Sequence, residues 1–182
     1  MEHDELRDDD GRATRGPSGA GSATGWSTAD LFDEHGDVVE VCDTTFLRFG
    51  TRRAFGGRCE TVLTHENHRT VLDALQQDGD GRVLVVDAGG DTRVGVMGDR
   101  LARIGSDNGW AGVIVNGAIR DSEIIDQLDF GVLAVAVTAR RSLDAEPGSR
   151  GVDVEFGNAR FRSGRWVYAD ADSVLSSAEK LV

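Results

Sequence analysis

Lysine is almost absent from this chain: Lys180 stands alone, and every other basic side chain is an arginine. Positive charge is in deficit as well, with 20 Lys and Arg against 32 Asp and Glu, a formal net charge of -12. Nucleic-acid binding needs a concentration of cations to displace phosphate counterions, so this balance argues against a direct RNA or DNA surface. The arginine bias with the acidic excess fits a halophilic protein of a salt-rich cytoplasm. It fits equally an ordinary acidic surface encoded by a high-GC genome, because composition speaks to solubility rather than function.

Long apolar runs are also missing. Nothing approaches the roughly 18 consecutive apolar residues of a membrane span. Met1 to Asp10 is acidic where a secretory signal would be basic and then apolar, so a cytoplasmic protein is expected. Only two cysteines occur, Cys42 and Cys59. They are too few for a disulfide framework and lack a C-x-x-C spacing, so buried free thiols are expected.

What remains suits one domain of 182 residues behind a polar extension. Residues 1–25 are rich in Asp, Gly, Ser and Arg and nearly free of large apolar side chains, the composition of a disordered tail. The folded domain is expected over 26–182. Ser27 with Asp30 three residues on resembles a capping box, and Leu31 and Phe32 supply the apolar face of a short helix ended by His35-Gly36. Short apolar runs from Val38 to Val62, broken by Gly50, Gly56 and Gly57, read as strands. A helix follows from about Asn67, with Val71, Leu72 and Leu75 on one face.

Arg82 to Asp87 is a continuous apolar run closing in Asp87-Ala88-Gly89-Gly90, which predicts a strand buried on both faces and a loop lining a ligand cleft. Gly98-Asp99 opens an amphipathic helix with Leu101, Ala102 and Ile104 inward. A strand over Ala111–Asn116 then reaches a Gly117-Ala118-Ile119 turn, Arg120-Asp121 and another helix. A further strand covers Val132–Val137, and Val152–Tyr168 alternates in short strands around Gly157-Asn158 and Ser163-Gly164, as in hairpins. Trp110 and Trp166 read as core or subunit-contact residues.

Two loops that each end a buried strand and carry a carboxylate at a helix start form a common anion and metal site. Unpaired helix N–H groups favour a substrate carboxylate, and Asp oxygens are hard ligands for a divalent cation. Asp99 and Arg120-Asp121 are so placed. The planar fork of Arg120 suits a carboxylate or enolate oxygen, and a helix would keep Asp121 out of its direction, free to hold a metal. On the residues alone, helix capping by Asp99 and a plain Arg120–Asp121 surface pair stay open. His65-Glu66-Asn67-His68 looks like a metal cluster, but its histidines are three apart where a zinc-protease helix spaces them by four, and Asn67 is a good cap.

The stretches Gly81–Gly90, Leu101-Ala102, Asn108–Val113, Asn116–Asp121 and Leu128–Val132 together resemble the regulator of ribonuclease E activity A (RraA) family and its relatives, the 4-hydroxy-4-methyl-2-oxoglutarate aldolases. The likeness runs from Thr28 to Leu175. An Asp, twenty intervening residues and Arg-Asp mark the aldolase branch, and Asp99 with Arg120-Asp121 matches that spacing. The resemblance implies an α/β fold, a three-layer β/β/α sandwich of the swivelling-domain type, assembled as a homotrimer with clefts between subunits.

It further implies a class II, metal-dependent aldolase and oxaloacetate decarboxylase acting on small 2-oxo acids. Gly98, Asp99, Arg100 and Leu101 would hold the substrate carboxylate, Arg120 the pyruvyl oxygens and Asp121 a magnesium or manganese ion, with a water ordered by Asp99 carrying the proton. Longer aldolases of the family draw another acidic residue from a neighbouring subunit through a C-terminal extension that this chain does not match. The alternative is a non-catalytic regulator that binds a ribonuclease and needs neither metal nor Asp121. Some relatives carry a demethylmenaquinone methyltransferase label, but no glycine-rich methyl-donor motif follows an early strand here.

Overall fold

The computed structural model describes residues 25–141 and 146–182; apart from Gly25, the expected N-terminal tail lies outside them. In chain order the elements are α1 (Thr28–His35), β1 (Val39–Val41), β2 (Leu47–Phe49), β3 (Phe55–Leu63), α2 (Arg69–Leu75) and β4 (Val83–Asp87). There follow β5 (Gly95–Met97), α3 (Asp99–Asp107), β6 (Gly112–Ile119), α4 (Ser122–Ile125) and β7 (Gly131–Val137). The chain closes with β8 (Ser149–Arg150), β9 (Val154–Phe156), β10 (Ala159–Phe161), β11 (Trp166–Ala169) and β12 (Val174–Ser177).

Strands β3, β4, β6 and β7 run parallel, with β2 antiparallel on the β7 edge. The nine-residue β3 belongs to two sheets at once. Its second half, Cys59–Leu63, pairs with β4, while Phe55–Arg58 pairs antiparallel with β11, which continues to β12 and β1. Alternation along the parallel strands then divides the interior. Leu84, Val86, Val113, Val115, Val132 and Ala134 face Val71, Leu75, Leu101, Ala102 and Ile125 of the helices. Val83, Val85, Ile114 and Leu133 face the other way, onto Val167, Ala169, Val174 and the β9–β10 hairpin. The three layers are helices, parallel sheet and antiparallel sheet, the expected β/β/α order. Helix α1 adds a cover outside the antiparallel sheet, with Leu31 on Tyr168 and Leu175.

Several local expectations hold for the reasons given by the sequence. Ser27 accepts from Asp30 N at 3.1 Å and caps α1. β4 is buried on both faces, and Trp110 is a core residue whose indole N–H donates to Gln77 O at 3.1 Å. Gly157 and Asn158 take φ of 56° and 61°, joining β9 to β10 by a two-residue turn that matches the right-handed twist of the strands. Cys42 and Cys59 are free and buried, and burial pushes both thiols up.

Others are corrected. Phe32 is exposed, and Leu31 is the apolar side chain that α1 buries against Tyr168 and Leu175. α2 begins at Arg69, its N–H held by Asn67 Oδ1 at 2.8 Å, and Ala74 rather than the partly buried Leu72 completes its inner face. Gly117-Ala118-Ile119 is strand rather than turn: β6 runs on past a bulge to pair with β5 and the end of β7. The glycine there is required by a close approach, since a Cβ on Gly117 would lie 2.7 Å from the Ala88 side chain. Ser163-Gly164 closes no hairpin, because β11 leaves β10 to pair with β3 and β12.

One buried carboxylate ties α1 to the sheet. Asp170, 8% exposed, accepts from Thr28 N and Oγ1 at 2.6 and 2.7 Å and from Asp172 N and Ser173 N at 2.9 and 3.3 Å. Burial alone would raise its pKa, but these hydrogen bonds outweigh it and hold the carboxyl below its ordinary 3.8. A depressed folded-state pKa gives stability that is complete above the unfolded value and lost as pH falls through the folded one. Asp170→Asn is expected to destabilise by about 1–3 kcal/mol at neutral pH, with the gap to the parent shrinking below about pH 4 in urea titrations.

Candidate functional site

The parallel strands deliver their carboxyl ends to one side of the sheet, where crevices of open α/β folds take ligands. β5 ends in Gly98 and α3, β6 ends in Arg120-Asp121, and β7 leads to Arg141. A cleft of about 300 Å³ lies there, and all six residues picked out from the sequence line it: Gly98, Asp99, Arg100, Leu101, Arg120 and Asp121. His68 and Arg141 line it too, and the sequence reading missed both as cleft residues. Arg141 stands in no recognisable motif and is brought to the cleft by its bridge to Gly95 of β5, whereas His68 closes the His65–His68 run that looks like a metal cluster. The Asp87–Gly90 loop does not line this cleft. Asp87 Oδ1 accepts there from Gly89 N and Asn116 Nδ2 at 2.9 and 2.8 Å, so the loop is a turn closed on itself.

Gly98 is the N-cap of α3 and brings no side chain to its mouth. Its carbonyl accepts from Leu101 N and Ala102 N, both at 3.1 Å, while the helix offers no carbonyl to the amides ahead of them. Arg120 is fixed to the same wall, its N–H donating to Met97 O at 2.9 Å. Asp121 is not a helical residue: it is the N-cap of α4 in the left-handed region at φ 58°. That conformation, uncommon for Asp, turns the carboxylate back onto Arg120, with Nε at 3.1 Å from Oδ2. The expectation that Asp121 points away from Arg120 is thereby corrected.

The pair packs against the bare backbone of Gly98. A Cβ there would lie 2.6 Å from Asp121 Oδ2 and 3.2 Å from Arg120 Cγ. Asp99 lines the cleft too, one third exposed and 3.8 Å from Arg103, a contact too long and wet to hold it firmly.

Among the described residues, one set of three ligand-type side chains lies close enough to share a cation, and it is elsewhere: His65, Glu66 and Asp91, within 4.8 Å of one another. Arg93 already answers its charge, at 2.6 Å from Glu66 and 3.1 Å from Asp91, and those bonds hold the Asp91 carboxyl below its usual range. That group takes His65 and Glu66 from the His65–His68 run but Asp91 from another loop, and His68 is not part of it.

Fold and cleft together define an α/β protein with a small cleft where a helix mouth meets an arginine–carboxylate pair. The family model described as RraA-like: Aldolase/RraA matches residues 28–175, and the chain belongs to this family. A protein of Alkalilimnicola ehrlichii named "Putative 4-hydroxy-4-methyl-2-oxoglutarate aldolase" is 41% identical over 155 residues, covering 85% of this chain and 96% of that one. Among solved structures, one from Geobacillus kaustophilus described as an S-adenosylmethionine: 2-dimethylmenaquinone methyltransferase is 42% identical at a TM-score of 0.84, covering 86% of this chain and 97% of its own. The RNA-processing inhibitor RraA of Thermus thermophilis is 35% identical at a TM-score of 0.81, covering 85% and 93%.

Gly98→Ala tests the packing of the cleft. The added methyl is expected to displace Asp121 and Arg120 and weaken binding of small 2-oxo acids at least about tenfold by calorimetry. Because Gly98 is a half-exposed N-cap, where alanine costs about 1 kcal/mol, the melting temperature should fall by only a few degrees.

Proposed function

We propose that this chain is a divalent-metal-dependent lyase, a class II aldolase that cleaves 4-hydroxy-4-methyl-2-oxoglutarate to pyruvate and decarboxylates oxaloacetate. The observation that carries the reading is the convergence, in one cleft, of the α3 mouth, Arg120 and the two carboxylates Asp99 and Asp121. The aldolase name of relatives at about 40% identity supports it.

The donor set fits a hard cation. Asp121 is partly exposed and keeps lone pairs beyond those Arg120 engages, and Asp99 lines the same cleft. Two carboxylates suit magnesium or manganese, which keep several waters and take further oxygens from substrate. Asp121 would hold the ion, and bound there it would supply Lewis-acid polarisation of the 2-oxo group.

The chain's own groups carry the rest. Free amides at the mouth of α3, from Gly98 to Arg100, bind the carboxylate next to the 2-oxo group, with Leu101 lining the cleft beside them. Arg120 donates to the 2-oxo oxygen, which gains negative charge as the neighbouring carbon–carbon bond breaks and its electron pair passes into the pyruvyl fragment. Asp99 orders a water that takes the proton of the 4-hydroxyl as that bond breaks, leaving a second carbonyl, and returns a proton to the pyruvyl carbon. Loss of carbon dioxide from oxaloacetate leaves the same fragment, so one site serves both reactions. This reading includes a homotrimeric assembly in the cytoplasm, with clefts at the subunit boundaries where a neighbour would add an acidic group. Among the described residues no helix is long and apolar enough to cross a membrane.

The likeness to the Thermus RNA-processing inhibitor favours a second reading, a regulator that binds a ribonuclease. The two separate on Asp121, which only the lyase needs. Pyruvate release from both acids in high salt, with magnesium or manganese, is expected to stop with a chelator. It is expected to fall by about 100- to 1,000-fold in Asp121→Ala at an unchanged melting temperature. No turnover of either acid by the folded, metal-supplemented protein would overturn the lyase and leave the regulator.

A further inference from the structure

Most arginines on this acidic surface have an acidic partner, and the two in the cleft that lack one stand beside a third that has one. Arg120 is paired with Asp121, and Asp99 faces Arg103 on the outer side of α3. Arg100 and Arg141 also line the cleft, both exposed, and neither makes a side-chain hydrogen bond or ion pair among the described residues. A chain of net charge -12 thus leaves uncompensated positive charge at one concave place, where an anion gains most from it.

The two unpaired arginines differ in how they are held. Arg100 rides the first turn of α3, beside the amides that take the first carboxylate. Arg141 stands across β5 from Arg120: Gly95 N donates to Arg140 O at 3.0 Å, and Gly95 and Arg141 form a parallel bridge. On its other side Gly95 packs on Arg120, whose Cγ lies 3.3 Å from where a Cβ would be. A single glycine therefore separates the backbones that carry Arg120 and Arg141. That spacing suits a short chain with an anionic group at each end.

We propose that Arg141 is the specificity-determining residue of this cleft, binding the second carboxylate of a dianionic 2-oxo acid while Arg120 and the α3 mouth hold the 2-oxo end. The inference rests on the lyase reading of the same site. Both acids named there carry a distal carboxylate. A guanidinium fork answers it with two parallel N–H donors, and a monoanionic 2-oxo acid would leave Arg141 without a partner.

Calorimetry of the full chain with magnesium tests it, using 2-oxoglutarate and 2-oxopentanoate, which share a five-carbon backbone and differ in the distal carboxylate. The parent is expected to prefer 2-oxoglutarate by about tenfold or more, the scale of one charge-assisted hydrogen bond. Arg141→Gln should abolish that preference and leave 2-oxopentanoate binding unchanged, and Arg141→Lys should restore part of it. Equal binding of the two acids by the parent, or an undiminished preference in Arg141→Gln, would overturn the role of Arg141 while leaving the lyase intact. Failure of both acids to bind the parent would overturn the lyase reading and this inference together.

Discussion

Burial of β4, β6 and β7 on both faces is the constraint on which the rest of the structure depends. Leu84 and Val86 enter one core, Val83 and Val85 the other, and none of the four is exposed. A parallel sheet cannot leave a face in water without exposing this apolar surface, each buried Val or Leu contributing about 1.5–3 kcal/mol. Helices α2, α3 and α4 cover one side and the antiparallel strands the other. β3 links the two sheets because it is long enough to pair with β4 at one end and β11 at the other.

Chemistry follows from the same constraint. With both faces occupied, parallel strands offer ligands only their ends, and loops after β5, β6 and β7 meet at one edge. Close approach there selects the backbone. Gly95 and Gly98 leave room for Arg120 and Asp121, and the left-handed conformation of Asp121 ends β6 abruptly enough to start α4 at once. Backbone conformation of this kind costs energy and persists where the surroundings fix it, as the bond from Arg120 N to Met97 O does here.

Electrostatics divides the arginines into two populations. Most of those outside the cleft close ion pairs with neighbouring acids, as Arg93 does with Glu66 and Asp91 and Arg82 with Glu60, while Arg58 instead stacks on Trp166. Such pairs at a wet surface add little stability each, but they neutralise charge locally and leave few open cations. In the cleft the balance reverses. A chain of net charge -12 thereby keeps three arginines, Arg100, Arg120 and Arg141, on one concave wall.

The strands and the helix caps were legible in the sequence because their signals are local. Apolar runs of four to six residues, Ser27 before Asp30 and Gly157-Asn158 all lie within one element or its ends, whereas the spacing of Asp99 to Arg120-Asp121 spans α3 and β6 and took its meaning from the resemblance. The order of the layers came through the resemblance, since periodicity reports which face is apolar and not what covers it. What the sequence alone determined was that Asp99, Arg120 and Asp121 stand at strand ends. Tertiary structure decided that they share a wall with His68 and Arg141, that Gly117 to Ile119 extends a strand, and that Asp121 turns back onto Arg120. Those outcomes depend on β5 inserting beside β6 and on backbone contacts between residues far apart in the chain, which no pattern of neighbouring side chains encodes.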